Sequence, residues 1–198
     1  MSELHLFDFD GTLFRSPEEP DWWTGKNWWG ESPSMDTPCV PTKPGADWWI
    51  NSTVAAAKKS ISDPNVWSVL MTGRSERSFA RYRVPELLKM RGLKFDQVIL
   101  APAMGAAKAY KLAATRKLLG RHPQVDVVHV WEDNSQNLSA LADFVRKTGR
   151  RCEEHLVKVP PHSVVCTEEG VQRDPTLNRV AARWFYRVAN EPLRGGRE

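Results

Sequence analysis

HLFDFDGTLF, residues 5–14, ends an apolar run on two carboxylates, Asp8 and Asp10, one residue apart, and follows them at once with Gly11 and Thr12. A short run rich in large apolar residues reads as a buried strand, and Gly-Thr after it reads as a turn. Working outward, similar runs alternate with segments of helical period: Val66–Thr72, Phe95–Leu100, Val125–Trp131 and His155–Val159 complete the candidate strands. Between them, Pro44 opens a helix to about Ile61, a second covers Met104–Leu119, and Leu138, Leu141, Ala142 and Val145 mark a third that stops at Gly149. Leu177, Val180, Ala181, Trp184, Phe185 and Val188 stripe a further helix over residues 174–190, ahead of a loose tail over 191–198. Alternating strands and helices predict an α/β fold, a Rossmann-like parallel sheet flanked by helices, in a single domain over residues 1–198.

Ligands of such sheets bind beyond the carboxyl ends of the strands, so polar residues that close a strand carry the functional signal. Asp8 and Asp10 close the first strand; Thr72, Gly73 and Arg74 close the second; Glu132 and Asp133 close the fourth. A lysine, Lys108 or Lys111, follows the third, and spacing favours Lys111. These carboxylates, a hydroxyl, backbone amides and cations suit a magnesium-assisted reaction of a phosphate. Carboxylate oxygens take the hard cation, one carboxylate can attack phosphorus, and lysine offsets charge on the phosphoryl oxygens.

DFDGTLF resembles the first motif of the haloacid dehalogenase (HAD) superfamily in its phosphatase form. The strand ending in Thr72, the lysine and the acidic pair are similar to its later motifs, in order. TLFRSPEEPDWW, LMTGR followed by RVPELL, GLKFDQVIL, and Tyr110-Lys111 set 21 positions before WED resemble the HAD domain of Swiss Army knife RNA repair proteins. That domain is related to the phosphatase half of polynucleotide kinase-phosphatases, and the likeness covers roughly residues 4–159. The resemblance implies Asp8 as the nucleophile of an aspartyl-phosphate and Asp10 as the acid that protonates the leaving oxygen and then activates water. It implies Mg2+ held by Asp8, the Asp10 main-chain carbonyl and Asp133, with Glu132 beside it. It further implies phosphate contacts from Thr72, the Gly73 amide and Lys111, with Arg74 either binding phosphate or bracing its loop. The substrate it implies is a terminal 3′ phosphate of RNA or DNA. The chain departs from the RNA-repair pattern where Asn134 and Asn137 replace an arginine and a histidine, and where Ala107 replaces a threonine.

Residues 15–43 have neither period and hold the doublets Trp22-Trp23 and Trp28-Trp29; Trp48-Trp49 follows. A long proline-rich loop of this kind is expected to be functional, with its tryptophans either anchoring it to the core or forming a wall on which a base stacks. A loop closing over a small ligand would instead indicate a nucleotidase-like phosphatase, and an idle HAD core would indicate a binding module. The interval from Asp10 to Thr72 leaves little room for a helical cap domain.

Net charge of +4 favours anionic partners without the basic clustering of a dedicated nucleic-acid module. No apolar stretch approaches the length of a bilayer span and no leader pattern opens the chain, so a cytoplasmic protein without membrane contact is expected. No P-loop or nucleotidyl-lysine motif is evident, so kinase or ligase partners would be separate proteins. Cys39, Cys152 and Cys166 form no CxxC and are expected as unpaired thiols. The five histidines show no ligand spacing and are expected to be surface or structural, and Arg81 and Arg83 are expected on solvated faces.

Overall fold

The computed structural model describes residues 2–103, 105, 107–158, 164–167 and 169–173. Its centre is a five-stranded parallel sheet of β1 (Ser2–Phe7), β2 (Val66–Ser75), β3 (Gln97–Ala101), β4 (Val125–Glu132) and β5 (Arg151–Leu156), ordered β3-β2-β1-β4-β5. The order reverses at β1: the chain moves outward through β2 and β3, then crosses to β4 and β5 on the other side. Crevices between diverging connections form at such a reversal, and here it lies between the ends of β1 and β4. Helices α1 (Asn51–Ser62), α2 (Ala80–Arg91), α3 (Ala107–Arg121) and α4 (Ser135–Lys147) make the crossovers. A small antiparallel pair, β6 (Val164–Thr167) with β7 (Gly170–Arg173), follows.

The pleat of β1 sorts its side chains between two cores. Leu4 and Leu6 join Val69, Met71, Val128 and Val130 under α3 and α4. Phe7 joins Leu70 on the opposite face, with Val54 and Ala57 of α1 and Val84, Leu87 and Leu88 of α2. Phe9, Phe14, Met35, Val40, Trp48 and Trp49 are buried in that second core, so the 15–43 segment is folded inward. It turns through short 3-10 segments at Trp28–Gly30 and Ser32–Ser34.

Several expectations shift. β1 ends at Phe7 because the Phe9 carbonyl accepts the Leu13 and Phe14 amides and curls the chain off the sheet. Pro44 precedes the helix it was expected to open: Ala46–Trp48 forms a 3-10 turn and α1 begins at Asn51. α2 was not foreseen, since Pro85 interrupts it and its apolar stripe is weak; Gly92, at φ 70°, closes it. β5 begins four residues before the expected strand, because an edge strand reading RCEEHL carries little apolar signal. The expected helix over 174–190, the tail over 191–198 and Val159 lie outside the described residues.

Two side-chain expectations are overturned. Cys39 and Cys166 form a disulfide, tying the 15–43 segment to β6; Cys152 stays free. Arg83 is 1% exposed and turns inward. Its Nε donates to the Met35 carbonyl at 3.0 Å and its Nη2 to those of Pro41 and Thr42 at 3.1 and 2.9 Å, while Nη1 pairs with Glu86 at 2.7 Å. An irregular segment has no ladder to satisfy its carbonyls, and one buried guanidinium supplies the donors. Among the described residues no helix is long and apolar enough to cross a membrane.

Candidate active site

Asp8 follows β1 directly, its amide donating to the Trp131 carbonyl of β4 at 3.0 Å, which fixes the residue at the point of strand reversal. The turn that follows requires Gly11 on two counts. Its φ is +65°, in the left-handed region, and a Cβ there would lie 2.3 Å from Asp133 Oδ2. Glycine thus lets the backbone after β1 pass against the carboxylate after β4. Asn134 caps α4, its side chain accepting the amides of Gln136 and Asn137 at 3.0 and 3.1 Å. Capping therefore falls to the asparagine and leaves both preceding acids for the site.

Lys111, on α3, is buried between Asp8 Oδ1 at 2.9 Å and Glu132 Oε2 at 2.7 Å. Lys108 is exposed. Burial alone would lower the ammonium's pKa, but the two carboxylates outweigh it and raise the pKa above the usual lysine value. Glu132 spends its second oxygen on Asn137, whose Nδ2 donates at 3.0 Å. Asn137, which departs from the RNA-repair pattern, thus orients the acid that orients the lysine. For Asp8, burial is the largest influence, and with help from Glu132 and Asp10 it overrides Lys111 and pushes the carboxyl up to about 7. The Asp133 carboxyl is pushed up to about 6, by its packing against the turn and then by Asp8, although the residue is open to solvent at its edge.

Asp10 faces the other way. Arg74 Nε donates to both its oxygens at 3.1 Å and Nη2 to Oδ1 at 2.8 Å; Ser16 donates at 2.5 Å and Thr72 at 3.4 Å. Burial would raise this carboxyl, but Arg74 and the Ser16 hydroxyl hold it below the usual carboxylate range. Arg74 reaches further: Nη1 donates to the Trp29 carbonyl at 2.8 Å and to Ser34 Oγ, and Nη2 to the Ser34 carbonyl at 3.4 Å. Its guanidinium also lies 4.8 Å from the centroid of the Trp29 ring. Guanidinium has five N–H donors, and all are engaged. Of the two roles expected for Arg74, the geometry supports bracing the loop over a phosphate contact. Thr72 is fully buried, its hydroxyl also accepting the Arg74 amide at 3.1 Å. Gly73 sits against Ala107: a Cβ on the glycine would lie 3.3 Å from the alanine's, so a bulkier residue at either position would crowd the strand end.

Asp8, Glu132 and Asp133 bring one carboxylate oxygen each within 4.8 Å of one another. All-oxygen donors carrying this charge fit a hard divalent cation such as Mg2+. Ser16 and Ser34 were not singled out in the sequence, and Asn137 was noted only as a departure from the RNA-repair pattern; nothing local marks their roles, since each acts by supporting a charged partner.

The tryptophans divide. Trp28 is 1% exposed, its indole N–H donating to the Pro17 carbonyl at 3.0 Å, and Trp48 and Trp49 are buried; none of these offers a face to a ligand. Trp22, Trp23 and Trp29 are half-buried around Trp28 and the disulfide. Trp22 donates to the Cys166 carbonyl at 2.9 Å, while the Trp23 indole N–H is buried without a hydrogen-bond partner among the described residues.

A sequence profile of HAD domain family 1 in Swiss Army Knife RNA repair proteins matches residues 9–174. The chain belongs to this family. As a HAD domain it takes its place in a superfamily of phosphohydrolases, and its parallel sheet is the Rossmann-like layout expected of one. It is also 23% identical over 170 residues to Uncharacterized protein YMR265C of Saccharomyces cerevisiae, a match covering 73% of this chain. The chain spans 37% of the length of that relative. No solved structure matches this HAD domain.

Proposed function

We propose that the chain is a magnesium-dependent phosphohydrolase that removes a terminal 3′ phosphate from a nucleic acid end during repair. The observation that carries the reading is the pairing of Asp8 with buried Lys111 beside a second acid, Asp10, held apart on its own cation. Asp8 attacks phosphorus, forming an acyl-phosphate as the bond to the leaving oxygen breaks. Asp10 gives that oxygen its proton. In the second half Asp10 takes a proton from water, the water oxygen bonds to phosphorus, and the P–O bond to Asp8 breaks to return the carboxylate and release inorganic phosphate. Arg74 favours the ionised form of Asp10 that the second half uses; the phosphate charge arriving beside it offsets Arg74 and favours the protonated form that the first half uses. Lys111 keeps Asp8 aimed and favours its ionised form, and Thr72 and the Gly73 amide line the strand end where phosphoryl oxygens would sit. Mg2+ would be held by Asp8, Asp133 and the Asp10 carbonyl, and when bound it supplies positive charge against the phosphate. Glu132 serves by fixing Lys111.

The family supports the nucleic-acid class, and the half-buried Trp29, beside Arg74, supports a substrate with bases. A cytoplasmic setting, with separate kinase or ligase partners acting on the same RNA or DNA ends, completes the reading. The test is a phosphatase panel, with and without Mg2+, comparing 3′-phosphorylated oligonucleotides, mononucleotides and a chromogenic ester. Turnover is expected with Mg2+, highest on the oligonucleotide, and absent in Asp8→Asn. Preference for mononucleotides would overturn the polynucleotide assignment, and full activity in Asp8→Asn would overturn the mechanism.

A further inference from the structure

Three of the histidines, which show no ligand spacing in the sequence, come together in the fold. On the face of the sheet that carries Phe7, β1 contributes Glu3 and His5, β4 contributes His129 and β5 contributes His155. His5 Nε2 lies 3.0 Å and His129 Nε2 3.5 Å from the same oxygen, Glu3 Oε2, and the three ligand atoms lie within 4.8 Å of one another. Two imidazoles and a carboxylate bound tetrahedrally to zinc at about 2.0–2.1 Å would have donors about 3.3 Å apart, so the spacing is already close to that of a formed site.

The hydrogen bonds behind the rings point the same way. Ser60 lies 2.7 Å from His5 Nδ1, and its hydroxyl donates to the Ala56 carbonyl at 3.0 Å. With that proton committed, Ser60 Oγ accepts, so Nδ1 of His5 carries the hydrogen and Nε2 of the neutral ring presents a lone pair. That lone pair would face a carboxylate oxygen at 3.0 Å, an arrangement a bound cation would satisfy. His129 repeats the pattern: Nδ1 is engaged by His155 Nε2 at 3.0 Å, leaving Nε2 toward Glu3. Rings that ligate metal through one nitrogen while the other is held by an outer partner are the usual arrangement in metal sites. The His129 ring stacks with Trp131, at 5.7 Å between centroids, and with His155, at 5.3 Å, which limits its rotation. The site is also reachable, since the side chains of Glu3 and His129 are 36% and 22% exposed.

We propose that Glu3, His5 and His129 form a second metal site, separate from the carboxylate cluster around Asp8, for a zinc-class divalent ion, with water in the fourth position. Its nitrogen-rich donor set excludes magnesium as the natural occupant, just as the all-oxygen cluster favours it. It would join β1 to β4 three residues upstream of Asp8.

The test uses the full chain with Co2+ and Zn2+ as probes, in excess Mg2+ to occupy the oxygen site. Co2+ is expected to give one equivalent of the intense visible bands of a tetrahedral ion, displaced by Zn2+. The bands should be lost in His129→Gln and in Glu3→Gln but kept in Asp133→Asn, and Ser60→Ala should weaken Zn2+ about ten-fold or more. The wild-type chain gives an independent measurement: on adding Zn2+, imidazole 15N signals should shift at Nε2 of His5 and His129 and stay fixed for His122. Absence of those shifts, survival of the cobalt bands in both variants, or their loss in Asp133→Asn overturns the proposal. So does stoichiometric silence, which would mean that Ser60 turns its proton to His5 and Nε2–H donates to Glu3.

Discussion

Asp8 and Glu132 share the ammonium of Lys111, so one negative charge in this buried trio lacks a partner of its own. With Asp8 pushed from 3.8 to about 7, the metal-free native state holds a proton there between those values while the unfolded chain does not. Stability from this group therefore falls as pH rises from about 4 to 7, each pKa unit corresponding to about 1.4 kcal/mol before relaxation and solvent reduce it. Asp133 acts in the same direction and Asp10, whose carboxyl is lowered, in the opposite one, losing its contribution only in more acid solution. Asp8→Asn should accordingly melt above the wild type at pH 8 and near it at pH 4, without Mg2+, and Mg2+ should raise the wild type far more than the variant. A wild-type-to-variant gap that does not widen with pH, followed by thermal melts, would contradict this. Asp10→Asn should lower turnover by roughly a hundred- to ten-thousand-fold. It should also leave Arg74 with fewer acceptors, and so loosen the segment around Trp29 and Ser34. At this scale the sequence was informative where chemistry sits on the backbone. Asp8, Asp10, Thr72 and Asp133 end or follow strands, where position marks them, and Lys111, inside α3, was picked out by its spacing from the acidic pair. Arg74 and Arg83 were opaque because a guanidinium's surroundings depend on which distant carbonyls the fold brings to it.

The elements were legible in proportion to their burial. β1, β2 and β4 sit in the interior of the sheet and carry mostly apolar residues, so their cores could be read directly. β5, paired on one side only, and α2, with Pro85 inside, owe their structure to neighbours rather than to pattern. The 15–43 segment shows neither period because it is satisfied by side chains from α2 and β2. Its tryptophans should separate by function. Trp28→Ala removes a fully buried ring and should cost about 3–5 kcal/mol of stability, read by denaturant unfolding. Trp29→Ala, at the half-buried ring beside Arg74, should leave hydrolysis of a small chromogenic ester nearly unchanged and weaken oligonucleotide turnover by the roughly 1–3 kcal/mol of a base stack. Equal loss of both activities in Trp29→Ala would make it an anchor like Trp28.

Across the whole molecule, the parallel sheet flanked by helices followed from the alternation of elements, but the covalent link did not. Cys39 and Cys166 are separated by 127 positions, and nothing in their local sequence announces that a loop after β1 and a hairpin after β5 will meet. Reduction should lower stability by roughly 2–4 kcal/mol, measured as a shift in denaturation midpoint with and without reductant. The bond also closes the backbone into a ring that contains α1 through β5 and all of Thr72, Lys111, Glu132 and Asp133, while Asp8 and Asp10 hang outside it on the N-terminal arm. A protease that nicks any one connection inside the ring should therefore leave a single species on a non-reducing gel and two fragments once thiol is added. A cut between Asp10 and Cys39, in contrast, would free the nucleophile-bearing arm at once, whatever the redox state.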